Sequence, residues 1–132
     1  MIISSAYKNE GGESMAADSV DKELLKGTIP LLVLRLIDDR DLYGYQIIKH
    51  LRILSGNTFF FKEGTLYPIL HSLEKTGFIA SYWQESSVGR KRKYYRITED
   101  GRQELEIRRK AWSAFTRAVE LVLTSEVPGD DD

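Results

Sequence analysis

The stretch from Glu63 to Gly77 constrains the fold most strongly, because its apolar residues recur at helical spacing. One face of such a helix would carry Leu66, Ile69, Leu70 and Leu73. The opposite face would carry Gly64, Tyr67, Pro68, His71 and Lys75. A helix of this kind buries its leucine stripe and exposes the other face. We expect it to begin near Thr65, so that Pro68 falls in the first turn, and to end at Gly77.

A buried helix is expected before it, over residues 21 to 38, because this segment is apolar on nearly every side. Pro30 lies inside the segment and predicts a kink or a one-turn break. The turn Asp38-Asp-Arg-Asp41 follows, and Asp41 is suited to cap the next helix.

That next helix is expected from about Leu42 to Ser55. Its apolar positions at helical spacing are Tyr45, Ile48, Leu51 and either Leu54 or Ser55. Gly56 is well placed to end it in a left-handed conformation. Residues 59 to 61 are three phenylalanines, which we expect to form a short extended bridge into the third helix.

Two β-rich segments, residues 79–84 and 92–97, can pair as an antiparallel hairpin whose turn begins with Ser86, Ser87, Val88 and Gly89. From Arg90 to Arg96 the hairpin carries five basic residues in seven and no acid, interleaved with Tyr94 and Tyr95. A short helix followed by a basic hairpin is the arrangement expected of a winged helix-turn-helix.

A long last helix of about 25 residues should follow, capped by Thr98 and with Glu99 and Asp100 favourably placed at its N-terminus. Its apolar residues repeat as in a coiled-coil seam: Leu105, Trp112, Phe115, Val119 and Val122. So much apolar surface favours a partner, most simply a second copy of the chain.

These elements predict an α+β fold, mostly α: a winged helix-turn-helix with an added C-terminal dimerisation helix. We expect a disordered N-terminal segment (1–20), a DNA-binding domain (21–98), the dimerisation helix (99–124) and an acidic disordered tail (125–132). Met15 is an alternative start, in which case residues 1–14 would be a leader.

Charge is unevenly distributed along the chain, although the net charge is only −1. Residues 21–97 hold 13 Lys and Arg against 8 Asp and Glu, a net of +5, and the two ends together carry a net of −6. A nucleic acid responds to this local field and not to the total. The chain has no cysteine, no signal-peptide pattern and no apolar run long enough to span a bilayer, so we expect a cytoplasmic protein with no membrane partner.

The basic hairpin, which corresponds to the wing of such a fold, supplies the strongest candidates for contact with double-stranded DNA. Arg90 and Arg92 have the reach to enter a minor groove. Lys91, Lys93 and Arg96 are suited to phosphates, and Tyr94 lies among them. The alternative is an ordinary solvated basic turn.

The third helix supplies the candidates for the major groove, which admits an α-helix. They are Thr65, Tyr67, Pro68, His71, Ser72 and Lys75. The alternatives are that Tyr67 packs against the second helix and that His71 is merely an exposed polar residue.

Trp112 has two interpretations: a residue of the dimer seam, or the wall of a pocket in which a planar ligand stacks on its ring. No site for chemistry is predicted beside it. His50 and His71 lack the spacing of a metal site, no cofactor motif is present, and no catalytic constellation can be proposed, so we expect no enzyme activity.

Five motifs in combination carry a resemblance to a known family: Leu25-Lys-Gly-Thr, Tyr43-Gly-Tyr-Gln, Glu63-Gly-Thr-Leu-Tyr-Pro-Ile-Leu, Leu73-Glu-Lys-Thr-Gly and Gly89-Arg-Lys-Arg-Lys-Tyr-Tyr-Arg-Ile-Thr98. Together they resemble the PadR family of bacterial transcriptional regulators, in its short class with a single C-terminal helix. The resemblance implies a homodimeric repressor that binds an inverted repeat and is released by a small hydrophobic or aromatic effector. It also implies that Trp112 lines the effector site. Pro30 departs from the family pattern, which more often has a helix former there.

The leading hypothesis is therefore a DNA-binding repressor with no cofactor and no metal. The competing hypothesis is a winged-helix module that binds proteins and not DNA. The basic wing distinguishes them, because an adaptor has no reason to keep it.

Overall fold

The computed structural model describes residues 27–130, so the expectations for the first 26 residues lie outside it. Over this range the chain forms four helices: α1 (Ile29–Asp39), α2 (Gly44–Leu54), α3 (Glu63–Thr76) and α4 (Glu99–Thr124). Its three strands are β1 (Leu42–Tyr43), β2 (Ile79–Glu85) and β3 (Lys91–Ile97), in the antiparallel order β1-β3-β2. The predicted fold, α+β and mostly α with a hairpin after α3, is confirmed.

Pro30 does not kink α1, which was one of the two outcomes that the sequence predicted; the other, a one-turn break in a helix over residues 21 to 38, stays a prediction because residues 21–26 lie outside the described range. The helix begins at Ile29, so Pro30 lies in its first turn, and Gly27 and Thr28 form a turn before it. An N–H group in a first turn has no intrahelical acceptor, and proline therefore loses nothing there. The departure from the family pattern at this position thus leaves the rest of α1 regular.

The segment before α2 was also predicted wrongly. Leu42 and Tyr43 form a strand that pairs with Tyr95 and Tyr94 of β3, and the helix begins only at Gly44. Tyr43, with extended backbone, precedes the helix in place of Asp41, and its N–H donates to Oε1 of Gln46 at 3.1 Å. Residues 42 and 43 therefore form an edge strand of the sheet, because their backbone pairs with β3, and the sequence pattern did not reveal this strand.

The buried face of α2 differs from the predicted one. Ile47 and Leu51 are buried, whereas Tyr45 and Leu54 are exposed. Ile48 is only partly buried against the core. Gly56 has a φ of +64°, as expected of a residue that ends a helix in the left-handed region.

The leucine stripe of α3 is confirmed, since Leu66, Leu70 and Leu73 are all buried in the core. The helix begins two residues before Thr65, however, and so Pro68 lies in the second turn and not in the first. The C-terminus is as predicted: Gly77 adopts a φ of +91°, and its N–H donates to the carbonyl of Glu74 at 3.0 Å.

The hairpin and the start of α4 are joined by a compact corner. β2 and β3 pair in register from Ile79 opposite Ile97 to Glu85 opposite Lys91. The N–H of Thr98 donates to the carbonyl of Phe78 at 3.1 Å, and its Oγ1 accepts the N–H of Gly101 at 3.0 Å, as expected of a capping threonine. This corner fixes the direction in which α4 leaves the domain.

Candidate nucleic-acid interface

The exposed face of α3 brings together most of the predicted groove-facing residues. Tyr67, Pro68, His71, Ser72 and Lys75 are all exposed, and Thr65 is half-buried. The leucines on the other side anchor the helix in the core, and this face is therefore presented on a fixed support.

Tyr67 also packs against the second helix, which was the alternative interpretation of this residue. Its hydroxyl lies so close to Gly44, the first residue of α2, that a Cβ there would overlap it. The ring is nevertheless 42% exposed. Burial of the hydroxyl, and secondarily the charge of Glu63, raise the pKa of Tyr67. The phenol is therefore a neutral hydrogen-bond donor near neutral pH, placed where two helices meet.

We define the wing as the whole hairpin from β2 to β3. Its tip is closed by backbone hydrogen bonds. The N–H of Ser86 donates to the carbonyl of Arg90 at 2.8 Å, and the N–H of Gly89 donates to the carbonyl of Ser86 at 2.9 Å. Gly89 has a φ of +82°, which favours glycine there. The turn places Arg90 and Lys91 in solvent at the far end of the hairpin.

The basic side chains of β3 point alternately to the two faces of the sheet. Lys91 and Lys93 share a face with the buried Tyr95, and the Nζ of Lys93 lies 5.8 Å from the centroid of that ring. Arg92 and Arg96 lie on the opposite, outer face. The guanidinium carbon of Arg92 lies 4.5 Å above the ring centroid of Tyr43.

No ion pair within residues 27–130 involves a basic residue of the wing. The ion pairs in residues 27–130 join Arg102 to Asp38 and Glu99, and Arg108 to Glu104. Glu85 lies opposite Lys91 in the hairpin register, and the other four basic residues of the wing face no acid across the hairpin, so their charge is available to an external anion.

Three tyrosines form a row across the outer face of the sheet, one from each strand. Tyr94 packs edge-on against Tyr43, with centroids 5.4 Å apart, and stacks on Tyr82 at 5.7 Å. The hydroxyl of Tyr82 donates to Oδ2 of Asp41 at 2.6 Å. This hydrogen bond is the main cause that raises the pKa of Tyr82 to about 12, because the carboxylate opposes formation of a phenolate.

Within residues 27–130, the far half of α4 has exposed apolar side chains, in contrast to Leu105 nearer its start. Leu105 is 4% exposed and belongs to the chain's own core, which leaves it little surface for a second copy. Phe115 is 62% exposed and Val122 77%. Val119 is also exposed, and Trp112 is half-buried with its ring 6.2 Å from that of Phe115.

Trp112 and Phe115 line an open cavity of about 310 Å³ between α4 and the start of α1. Its other lining residues are Gly27, Thr28, Leu31, Arg108 and Ala111. The size and the aromatic wall suit a small planar molecule. In the part of the chain that the structure describes, no cluster of metal-ligating side chains occurs, and no helix is long and apolar enough to cross a membrane.

Comparison with known proteins decides the family. The sequence model of the transcriptional regulator PadR-like family matches residues 33–107. The chain belongs to the PadR-like family. It is 33% identical over 98 residues to a transcriptional regulator of Mycobacterium tuberculosis, a match that covers 74% of this chain and 88% of that protein.

Solved structures of PadR proteins have the same fold as this chain. A PadR-like transcriptional regulator from Bacillus cereus superposes with a TM-score of 0.70 at 35% identity, covering 79% of this chain and 99% of that one. A PadR family regulator from Eggerthella lenta gives the same TM-score at 30% identity, covering 86% and 96%. The chain is therefore a DNA-binding transcriptional regulator and not an enzyme, as the sequence indicated.

Sequence reasoning about this PadR regulator missed three residues of the outer face of the sheet as candidates for the site: Asp41 and Tyr43 beside the wing, and Tyr82 within it. Tyr43 was hidden because residue 43 was assigned to a helix. The alternation in β2 and β3, which places Tyr82 and Tyr94 on one face, was the signal that could have revealed the row.

Proposed function

We propose that the protein is a homodimeric repressor that binds an inverted-repeat promoter site and is released by a small hydrophobic or aromatic effector. The observation that carries this proposal is the combination of a basic wing, whose five basic residues form no ion pair within residues 27–130, with the exposed polar face of α3. A helix fits the major groove, and a cationic hairpin beside it suits the flanking backbone.

On DNA, Tyr67, Pro68, His71, Ser72 and Lys75 would face the major groove together with Thr65. Arg90 at the tip of the wing would reach the minor groove. Lys91, Lys93 and Arg96 would hold phosphates, and Tyr94 would contribute on the outer face that it shares with Arg96. Phosphate contacts fix the register of the protein on the duplex, and contacts to base edges provide the sequence preference.

Dimerisation is supported by the apolar far half of α4. Phe115, Val119 and Val122 recur at the steps of a coiled-coil seam and find no cover within residues 27–130. Pairing with a second copy through Trp112 and these three residues would bury them. The two-fold axis would then place two copies of α3 about one helical turn of DNA apart.

Effector release is supported by the position of the cavity at Trp112. Because this cavity adjoins the exposed apolar part of α4, a ligand bound there would change how the two copies pack. That change would alter the distance between the two α3 helices, which couples the ligand to DNA affinity.

The decisive experiment compares two charge-matched variants on a duplex from the region upstream of the gene. Arg90→Ala with Arg92→Ala removes two wing charges. Lys110→Ala with Arg117→Ala removes two charges from α4, on the side away from the seam. We expect the wing variant alone to weaken binding and to flatten the dependence of affinity on salt, by about 0.9 in slope for each phosphate that the protein no longer neutralises.

Equal affinity of the wing variant and the native protein would show that the wing assignment is wrong. Failure of the native protein to bind heparin or random duplex at low salt would instead favour a protein-interaction module.

A further inference from the structure

We propose that Tyr43 is a positioning residue that holds Arg92 on the outer face of the sheet, where the guanidinium meets the DNA backbone. This inference rests on the proposed DNA-binding surface and adds a residue to it. Arg92 thereby has a different task from Arg90, although the two are neighbours in the basic run.

The contacts around Arg92 fix its orientation. Its guanidinium carbon lies 4.5 Å from the centroid of the Tyr43 ring, close enough for a cation–π interaction. The ring of Tyr43 is in turn held edge-on by Tyr94 at 5.4 Å. Arg92 therefore lies against an aromatic support that is itself packed, whereas Arg90 extends into solvent at the turn.

Tyr43 directly precedes the residue on which the α3 face rests. Tyr43 directly precedes Gly44, and Gly44 is the residue against which the hydroxyl of Tyr67 lies. The Tyr67 ring belongs to the exposed face of α3. The residue that supports Arg92 and the residue that contacts Tyr67 are thus consecutive in the chain, at the step from β1 into α2.

Holding an arginine in place favours binding to an anion for two physical reasons. A free arginine loses rotamer freedom when it binds a phosphate, and a side chain already ordered on a ring loses less. A guanidinium that stacks with its flat face keeps the N–H donors of its edge available for the two oxygens of a phosphate. Tyr43 would therefore raise affinity without touching the DNA.

The test measures the affinity of the full chain for a short random-sequence duplex over a range of salt concentrations. Random sequence is sufficient because phosphate contacts do not depend on the bases. We expect Tyr43→Leu to weaken binding by about two- to five-fold for each subunit. Tyr43→Phe keeps the ring and should bind as the native protein does.

The double-substituted protein separates positioning from a structural role. In an Arg92→Ala background, Tyr43→Leu should weaken binding no further, because the group that it positions is absent. Additional loss in that background, or failure of Tyr43→Phe to preserve affinity, would overturn the proposal.

Arg92→Lys provides a second route if Tyr43→Leu unfolds the protein. It keeps the charge but loses the planar group, and it should weaken binding to the same two- to five-fold extent. If both Arg92→Lys and Arg92→Ala bind DNA with native affinity, Arg92 does not belong to the DNA-binding surface and the inference is overturned. The proposed role of the wing would then depend on Arg90. Absence of salt-dependent binding by the native protein would instead refute the proposed function itself.

Discussion

The hydroxyl of Tyr67 lies against the Cα of Gly44, and so the exposed face of α3 rests on the first residue of α2. The contact exists only because residue 44 has no side chain. It limits where the phenol can lie, and Gly44 directly follows Tyr43, the residue that supports Arg92. A glycine distant from the wing in sequence therefore shapes the surface that we propose for DNA.

Gly44→Ala should displace Tyr67. The resulting loss of DNA-binding free energy should exceed the loss in the free energy of unfolding. The new Cβ would overlap the far end of the tyrosine side chain, which can rotate away, so we expect a stability loss at the low end of about 1–3 kcal/mol. DNA affinity and the free energy of unfolding in urea should be measured on the same protein.

Tyr67→Phe is the matched partner for this change, because it removes the overlapping hydroxyl. Gly44→Ala should then have a smaller additional effect on affinity in the Tyr67→Phe protein than in the native one. Equal effects in both backgrounds would mean that the contact does not position Tyr67.

Gly101→Ala should destabilise the fold, whereas Gly64→Ala should not. Both glycines lie in the first turn of a helix. A Cβ at Gly101 would overlap the carbonyl oxygen of Phe78, whose own position is fixed by the N–H of Thr98. A Cβ at Gly64 meets open space.

We therefore expect Gly101→Ala to lower the free energy of unfolding by about 1–3 kcal/mol. Gly64→Ala should raise it by up to about 1 kcal/mol, because alanine favours a helix. Urea titration monitored by helical circular dichroism measures both. Losses of equal size at the two positions would show that the corner between Phe78 and α4 can accommodate a Cβ at residue 101.

Asp41→Asn should lower the pKa of Tyr82 from about 12 towards its ordinary value of 10.0. The carboxylate accepts the hydrogen bond of the neutral hydroxyl and repels a phenolate, whereas an amide carries no charge. Tyr67 and Tyr95 also have raised pKa values, mainly through burial, and these should not move. Titration of the tyrosine ring signals by NMR, with Tyr82→Phe to assign the resonance, distinguishes them.

The raised pKa also predicts the sign of a pH effect on stability. Below a pH of about 10 the hydroxyl is neutral in both folded and unfolded chains, and the stabilisation is fully present. Between about 10 and about 12 only the unfolded chain ionises, so the stabilisation is lost as the pH rises. The stability difference between the native protein and Tyr82→Phe should therefore shrink over this interval. A difference that stays constant would contradict the raised pKa.

The sequence predicted those parts of the structure in which one periodic pattern decides the outcome. The leucine stripe of α3, the hairpin, the Thr98 cap and the length of α4 all followed from spacing and from capping residues. Leu42 and Tyr43 were misassigned because their partner strand lies some fifty residues away, and local patterns contain no information on such pairing. Pro30 does not produce the predicted kink because it lies in the first turn of α1, and the effect of a proline depends on where the helix begins.

The same distinction applies to the candidate site. The basic run of the wing is visible in the sequence, but the division of its side chains between two faces requires the register with β2. The support of Arg92 by Tyr43 depends on β1, which was not foreseen. Leu105 fitted the seam by spacing alone, yet it is buried in the protomer because α4 packs there against the core.

Val119→Glu combined with Val122→Glu should prevent dimerisation, because the carboxylates would be buried at the proposed seam. Ile107→Glu is the control: Ile107 is 62% exposed on the same helix, but it lies roughly a quarter turn or more from the seam. Sedimentation over a range of concentrations should show a monomer for the double variant and a dimer for the control.

The consequence for DNA separates the two roles of α4. A monomer keeps its own α3 and wing, so it should still bind random duplex weakly and with a shallower dependence on salt. It should lose most of its preference for an inverted repeat, because the two half-sites are no longer bound as one unit. If the double variant remains a dimer, or if the native chain is a monomer at every concentration, residues 119 and 122 do not form the interface. The exposed apolar half of α4 would then need another partner.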